Sequence, residues 1–292
     1  MKKIFWVASY PKSGNTWLRA ILSSLFFTKD GIFDFNLLNH IINFDNPDKY
    51  EFVRSLNNSD FLNLHELDII SKYWSEAQKR TNVNKNFSFF KTHSSNVVLN
   101  KFKYTENENV LGLIYILRDP RDVVISYSKH LGKSIDETIT TITSKICITK
   151  SGLPRGNPYP ILLGSWDIHY KSWQILEVPK LVIKYESLLN NTRTEINNIV
   201  NFFNKNFKFN LNNIDKKISN IIKTTNFKKL NETEKKFGFN ENPFFYSNKK
   251  KSSNLFFRKG KECQWKEELN KTQIKKIEDS FSQTMIELGY LK

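Results

Sequence analysis

Ile4-Phe5-Trp6-Val7-Ala8-Ser9-Tyr10-Pro11-Lys12-Ser13-Gly14-Asn15-Thr16-Trp17-Leu18-Arg19-Ala20-Ile21-Leu22-Ser23-Ser24-Leu25 reads as strand, tight loop and helix. Ile4 to Ser9 is a short apolar run, and Pro11 to Gly14 supplies turn residues. Behind the turn, positions 17, 18, 21, 22 and 25 fall on one helical face. A loop of this shape is an anion site: the helix start offers unpaired backbone N–H groups and partial positive charge. Gly14 permits close backbone approach, Ser13 and Thr16 add hydroxyls, Asn15 adds a polar donor, and Lys12 adds a full charge. The plainer alternative is a capped helix start with an exposed lysine.

The same pattern continues outward. Phe87 to Thr92 and Val110 to Leu117 read as further strands, the second almost continuously apolar, as expected where both sheet faces are covered. Asp119-Pro120 opens a helix, with Pro in the first turn and Val123, Val124 and Tyr127 on one face. Leu181 to Tyr185 is a fourth strand. Helical spacing recurs over Gly164–Leu176, Arg193–Asn204 and Thr272–Leu288, and at Ile214, Ile218, Ile221 and Ile222. Strands alternating with helices predict an α/β fold of three layers, a mostly parallel central sheet flanked by helices. No repeat or Gly/Ser linker divides the chain, so residues 1–292 are expected to form one domain. Phe26 to Lys85 shows no pattern.

Composition narrows the function. The 292 residues carry a formal charge of +16 (45 basic, 29 acidic), which favours anionic partners or simply marks a Lys-rich surface. Lys249-Lys250-Lys251 reads as a solvated loop, whereas Arg118, Arg121, Arg258 and Lys259 sit in patterned segments. Two cysteines, Cys147 and Cys263, exclude a disulfide framework or a cysteine zinc cluster within the chain. The N-terminal apolar run ends too soon for a signal peptide, and no stretch reaches membrane-span length. A cytoplasmic protein without a membrane span is expected. A Walker loop is excluded because Lys12 precedes Gly14, and the one Gly-Lys-Ser, at 132–134, has Tyr127 where the first Gly belongs.

Ser9 to Leu18 resembles the 5′-phosphosulfate loop of the cytosolic-type sulfotransferases, commonly Y-P-K-S-G-T-T-W, with Asn15 in place of the first of those Thr residues. Tyr115 to Tyr127 resembles that family's 3′-phosphate motif, with Arg118 at the strand end and Ser126 eight residues on. Phe257 to Lys266 resembles its R-K-G-x-x-G-D-W-K segment: Arg258, Lys259 and Gly260 match, while Cys263-Gln264 replaces Gly-Asp. Trp17, Tyr185 and the Thr225–Phe227 stretch fall where the family lines the adenine nucleotide. The resemblance runs in family order from about residue 4 to about 266. It implies a sulfonyl donor, 3′-phosphoadenosine-5′-phosphosulfate (PAPS), with the bisphosphate PAP as product, and no metal.

Phe89 to His93 resembles the family's K-T-H strand end, which implies His93 as general base. Lys12 would then stabilise the leaving phosphate oxygen, with Lys91 and Ser126 assisting. The acceptor is a small molecule bearing a hydroxyl, with an amine as second choice. Ser94-Ser95 replaces the usual Leu-Pro and hints at a sugar or polar alcohol. Leu131 to Asn157 is an acceptor-side segment by analogy, and Gly164-Ser165-Trp166 reads as structural packing. The family's dimer motif is not met after Lys266, so the oligomeric state is open. The competing readings are a nucleotide kinase, a nucleotide-binding protein without catalysis, and a basic nucleic-acid-binding protein. Walker residues are lacking against the first, and Lys12 with His93 are retained against the second. No nucleic-acid partner is expected.

Overall fold

The computed structural model describes residues 3–56, 60, 62–81, 86–151, 159–242 and 255–292; the Lys249–Lys251 run lies outside them. Among the described residues the strands are β1 Ile4–Ala8, β2 Ile41–Asn43, β3 Ser88–Thr92, β4 Val98–Leu99, β5 Phe102–Lys103, β6 Val110–Leu117, β7 Ile148–Ser151, β8 Tyr159–Leu162 and β9 Lys180–Lys184. Five of them form one sheet in the order β2-β3-β1-β6-β9, with every pairing parallel. The remaining four make two small antiparallel hairpins. The main helices are α1 Asn15–Phe27, α2 Pro120–Leu131, α3 Trp166–Gln174, α4 Thr192–Phe207, α5 Asp215–Thr225, α6 Phe227–Phe237 and α7 Lys271–Glu287.

Strand alternation sorts the core into two layers. Phe5 and Val7 of β1 pack with Phe89, Ile114 and Ile116 on one face, under α1, α4 and α5. Ile4, Trp6 and Ala8 pack with Phe90, Leu113, Tyr115 and Leu117 on the other, under α2, α3 and α7. All five residues of β1 are buried, as a central parallel strand requires. Aromatic packing is dense around Phe5, whose ring stacks on Phe89 (5.1 Å) and meets Phe203 and Phe207 edge-on (5.3 and 4.8 Å). The expected three-layer arrangement is the observed one.

Chain order reverses at β1. The chain leaves it first toward β3 and β2, then returns to its other side for β6 and β9. In open parallel sheets the ligand crevice forms outside the carboxyl ends at such a switch point. The segments holding Lys12, His93, Arg118 and Tyr185 follow β1, β3, β6 and β9 in turn, so four sequence-distant motifs meet at one end of the sheet.

Candidate active site

The β1–α1 loop is built around Gly14, which adopts φ +100°, ψ 14° and caps α1 without a side-chain bond. A Cβ there would lie 2.7 Å from the Tyr185 ring, so both conformation and space demand glycine. Lys12 also has positive φ (69°), an uncommon and strained choice for a lysine. Its ammonium lies over the Phe256 ring, 4.3 Å from the centroid. Burial lowers its pKa to about 8, helped by Arg118, Arg258 and Lys91, while Glu234 opposes the shift. Four cations crowding one point are a site built for a polyanion.

Several buried donors there make no hydrogen bond to any described residue: Ser13 Oγ, Trp17 Nε1 and Arg118 Nε. Buried polar groups are nearly always paired, so unpaired donors converging on one loop fit an absent acceptor-rich ligand such as a bisphosphate nucleotide. Arg118 is buried; its Nη2 donates to Lys261 O (2.7 Å) and lies 3.5 Å from Asp122 Oδ2, and its guanidinium lies over the Tyr185 ring at 4.4 Å. Trp17 meets Tyr185 edge-on at 5.8 Å. Ser126 lies half-buried in α2. Arg121 is structural, gripping Asp119 (2.7 Å) and Glu278 (2.5 Å) and stacking on Trp265.

Other sequence-assigned side chains are directed elsewhere. Asn15 Nδ2 donates back to Val7 O and Ser9 Oγ (both 3.1 Å), bracing the end of β1; its backbone remains in the first turn of α1. Thr225 is buried and its hydroxyl donates to Ile221 O (2.7 Å), so it shapes the wall rather than donating into the site. Lys259 pairs with Glu268 (2.7 Å), whereas exposed Arg258 still acts on Lys12. Gly260 (φ +59°) packs against Phe227, and Cys263 takes the left-handed conformation (φ 55°) with no glycine to ease it. The turn persists because the Asp122 carboxylate accepts from the Trp265 amide (3.0 Å).

His93 Nδ1 lies 2.8 Å from Ser9 O. A carbonyl only accepts, so Nδ1 carries the proton and Nε2 is left with its lone pair. Burial and Lys91 lower the His93 pKa to about 3, so the ring is neutral at physiological pH. His169 Nε2 donates to His93 O (3.0 Å) and Tyr115 OH donates to His169 Nδ1 (2.7 Å), which gives the Gly164–His169 stretch its structural role. Below His93, buried Asp45 accepts from Thr92 (2.8 Å), Tyr104 (2.8 Å) and Ser94 (3.2 Å).

The serines correct an expectation. Ser94 turns to Asp45 and Ser95 donates to Leu163 O (2.5 Å), both fully buried, so neither forms a polar acceptor wall. The polar groups that sequence reading missed are Glu241 and His130. Both Glu241 carboxylate oxygens accept from Arg19 Nη1 (2.9 and 2.8 Å), and Glu241 lies 3.7 Å from Lys91; Lys91, Arg19 and His93 bring its pKa to about 2 against the opposing effect of burial. His130, on α2, is depressed to about 3 by burial and by Lys12 and Lys91. Arg19 carried one signal: it is the single charge between Asn15 and Leu25. Of the acceptor-side segment, 152–158 lies outside the described residues. A cavity of about 440 Å³ opens against β2 and β3 between Phe27, His40 and Phe87; Phe89 and Phe90 line it, whereas Lys12, Lys91, His93 and Arg118 do not. Among the described residues no His/Cys/Asp/Glu group could hold a metal ion, and no helix is long and apolar enough to cross a membrane.

Comparison with known proteins agrees with this geometry. The chain is 25% identical to a flavonol 3-sulfotransferase of Flaveria bidentis (93% of this chain, 78% of that one) and 25% identical to cytosolic sulfotransferase 10 of Arabidopsis thaliana (93% and 75%). It superposes on retinol dehydratase, solved with androsterone and the inactive cofactor PAP, with a TM-score of 0.61 at 18% identity, covering 97% of this chain and 80% of that one. A family model described as sulfotransferase domain matches residues 2–289, and the chain belongs to that family.

Proposed function

We propose that this protein, acting as one domain, transfers the sulfonyl group of PAPS to a hydroxyl of a small acceptor. The observation that carries the reading is the convergence of Lys12, Lys91, Arg118 and Arg258 on a glycine-built loop whose buried donors, Ser13 Oγ, Trp17 Nε1 and Arg118 Nε, lack partners. When bound, PAPS supplies the sulfonyl group and a phosphate leaving group. Ser13, the first amides of α1 and Lys12 would hold the 5′ side. Arg118, Ser126 and Arg258 would hold the 3′-phosphate, and Trp17, Tyr185 and Phe227 would flank the base.

Each remaining step has a residue. His93 Nε2 takes the proton as the acceptor oxygen bonds to sulfur and the sulfur–phosphate oxygen bond breaks. Lys12 meets the negative charge that develops on the departing oxygen. Lys91, held beside Glu241, orients the transferring group and the acceptor. The low pKa of His93 belongs to the free protein, where burial and cations dominate; the charge of an anionic donor opposes the cations.

One relative's name points to a flavonol acceptor and the androsterone in the superposed structure to a steroid, whereas Glu241 gives the region beside His93 a charged wall. On that ground we read the acceptor as a sugar or other polar alcohol. The cytosolic name of one relative supports a cytoplasmic site of action. Calorimetric titration with PAP, with ATP as control and Arg118→Ala beside the wild type, tests the donor reading. Selective PAP binding lost in the variant is the expected result, and equal binding of ATP overturns it. A panel of sugars, polyols and phenols tests the acceptor; higher kcat/KM for phenols defeats the polar reading.

A further inference from the structure

One buried carboxylate has no role in the reaction above. Glu234 lies on α6 and is 4% exposed. Its Oε1 accepts from the Phe256 amide (2.8 Å) and from Asn242 Nδ2 (2.9 Å), and its Oε2 accepts from the Phe257 amide (2.9 Å). One turn earlier on the same helix, Asn231 Nδ2 donates to Phe257 O. One turn earlier again, the Phe227 ring lies against Gly260, where any Cβ would collide with it. Positions 227, 231 and 234 are spaced i, i+4, i+7, which places them on one helical face. Residues 256–260 are therefore laid along that face, ring against glycine at one end and carboxylate against two amides at the other.

What this segment carries gives the arrangement a purpose. Phe256 lies under the Lys12 ammonium, and Arg258 follows two residues later. We propose that the Phe227–Asn231–Glu234 face is the template that sets Phe256–Gly260 against the sulfonyl donor, with Glu234 as its positioning residue. This rests on the donor reading above. A buried carboxylate accepting two consecutive amides is costly to alter, because its removal strands both N–H groups. Glu234 has a second effect through space. The groups acting on the Lys12 charge are Arg118, Arg258, Lys91 and Glu234, and Glu234 is the one anion among them. With Glu234 neutralised, the Lys12 pKa falls further below 8 and the ammonium is lost at lower pH.

The test compares wild type, Glu234→Gln, Glu234→Asp and Asn231→Ala by PAP titration, steady-state kinetics with PAPS, and a pH profile of kcat/KM. Glu234→Gln is expected to weaken PAP binding about tenfold or more, with the loss mainly in KM for PAPS, and to move the alkaline limb toward lower pH. Glu234→Asp keeps the charge, so it restores the alkaline limb. Asn231→Ala, at a half-buried position, shifts PAP affinity in the same direction by less and serves if Glu234→Gln does not fold. Wild type that fails to bind PAP overturns the donor reading and this inference with it. Wild type that binds PAP, with Glu234→Gln or Asn231→Ala binding it equally well, overturns the template alone. An alkaline limb unmoved in Glu234→Gln does the same for the charge effect.

Discussion

The Ser9 carbonyl fixes the His93 tautomer, so one backbone group decides which ring nitrogen is basic. His93→Ala is expected to lower kcat by about 10²- to 10⁴-fold, the usual worth of a general base. PAP affinity should stay close to wild type, because the residues assigned to the nucleotide do not include His93. A variant losing PAP affinity and kcat together would show that His93 serves the fold. Cys263 makes a prediction of a different kind. Its left-handed backbone costs an L-residue about 1–2 kcal/mol. Cys263→Gly is therefore expected to raise the melting temperature slightly, and Cys263→Val to lower it by several degrees; the reverse order would mean that the strain is absent. At this scale legibility depended on whether a residue acts within its own segment. Lys12, His93 and Arg118 stand in short motifs whose shape announces a charge or a base. Arg19 and Glu241 are separated by 222 positions and mean something only once paired, and Asp45 acquires its role from Thr92, Ser94 and Tyr104, which lie 47, 49 and 59 positions away.

Among the elements, the first strand, loop and helix depend most on one position. Gly14→Ala adds a methyl 2.7 Å from Tyr185 and forces φ +100° on an L-residue. It is expected to cost more than about 1 kcal/mol of stability and to weaken PAP binding sharply, read by thermal melting and titration. Near-normal binding would mean that the loop can move aside. The strands Ile4–Ala8, Ser88–Thr92, Val110–Leu117 and Lys180–Lys184 were legible within a residue or two: the central ones are buried apolar runs, and the edge strand Lys180–Lys184 still carries Leu-Val-Ile between its lysines. Tyr185, expected as the end of its strand, instead opens a short helix. Strand β2 was not legible: three residues, Ile-Ile-Asn, carry no period, and the parallel partner β3 lies more than 40 positions on. Helix α6 was missed as a helix because it is dominated by Lys and Glu, with few apolar positions to mark a face. Its working face proved to be defined by Phe227, Asn231 and Glu234, a ring, an amide and a carboxylate.

For the molecule as a whole, three histidines, His169 buried and His93 and His130 half-buried, dominate the response to acid. His93, His130 and His169 are each moved from an ordinary 6.5 to about 3, chiefly by burial. Between those values the unfolded chain binds more protons than the folded one, so stability rises with pH and is lost as pH falls from 6.5 toward 3. Glu241, near 2, acts in the same direction below 4.5, while Asp45, raised by burial, acts against it. Chemical denaturation at pH 7.5 and pH 5 should show a drop of a few kcal/mol at the lower pH, since a tenfold change in a proton-binding constant is worth about 1.4 kcal/mol. Equal stability at both values would mean that these rings are solvated. The opposite sign holds for none of these three histidines, so a protein more stable at pH 5 is not expected.

The placing of Lys12, His93, Arg118 and Tyr185 after four adjacent strands turns the sheet into a ruler. Neighbouring strands are separated by about 4.8 Å, so the three gaps from β3 to β9 span about 14 Å before any side chain is added. That graduation is made of backbone hydrogen bonds and does not change with the side chains mounted on it. Substitutions at the rim can alter what is held at each mark, but the reach from the end of β3, where His93 stands, to the end of β9, where Tyr185 stands, is a constant of the scaffold.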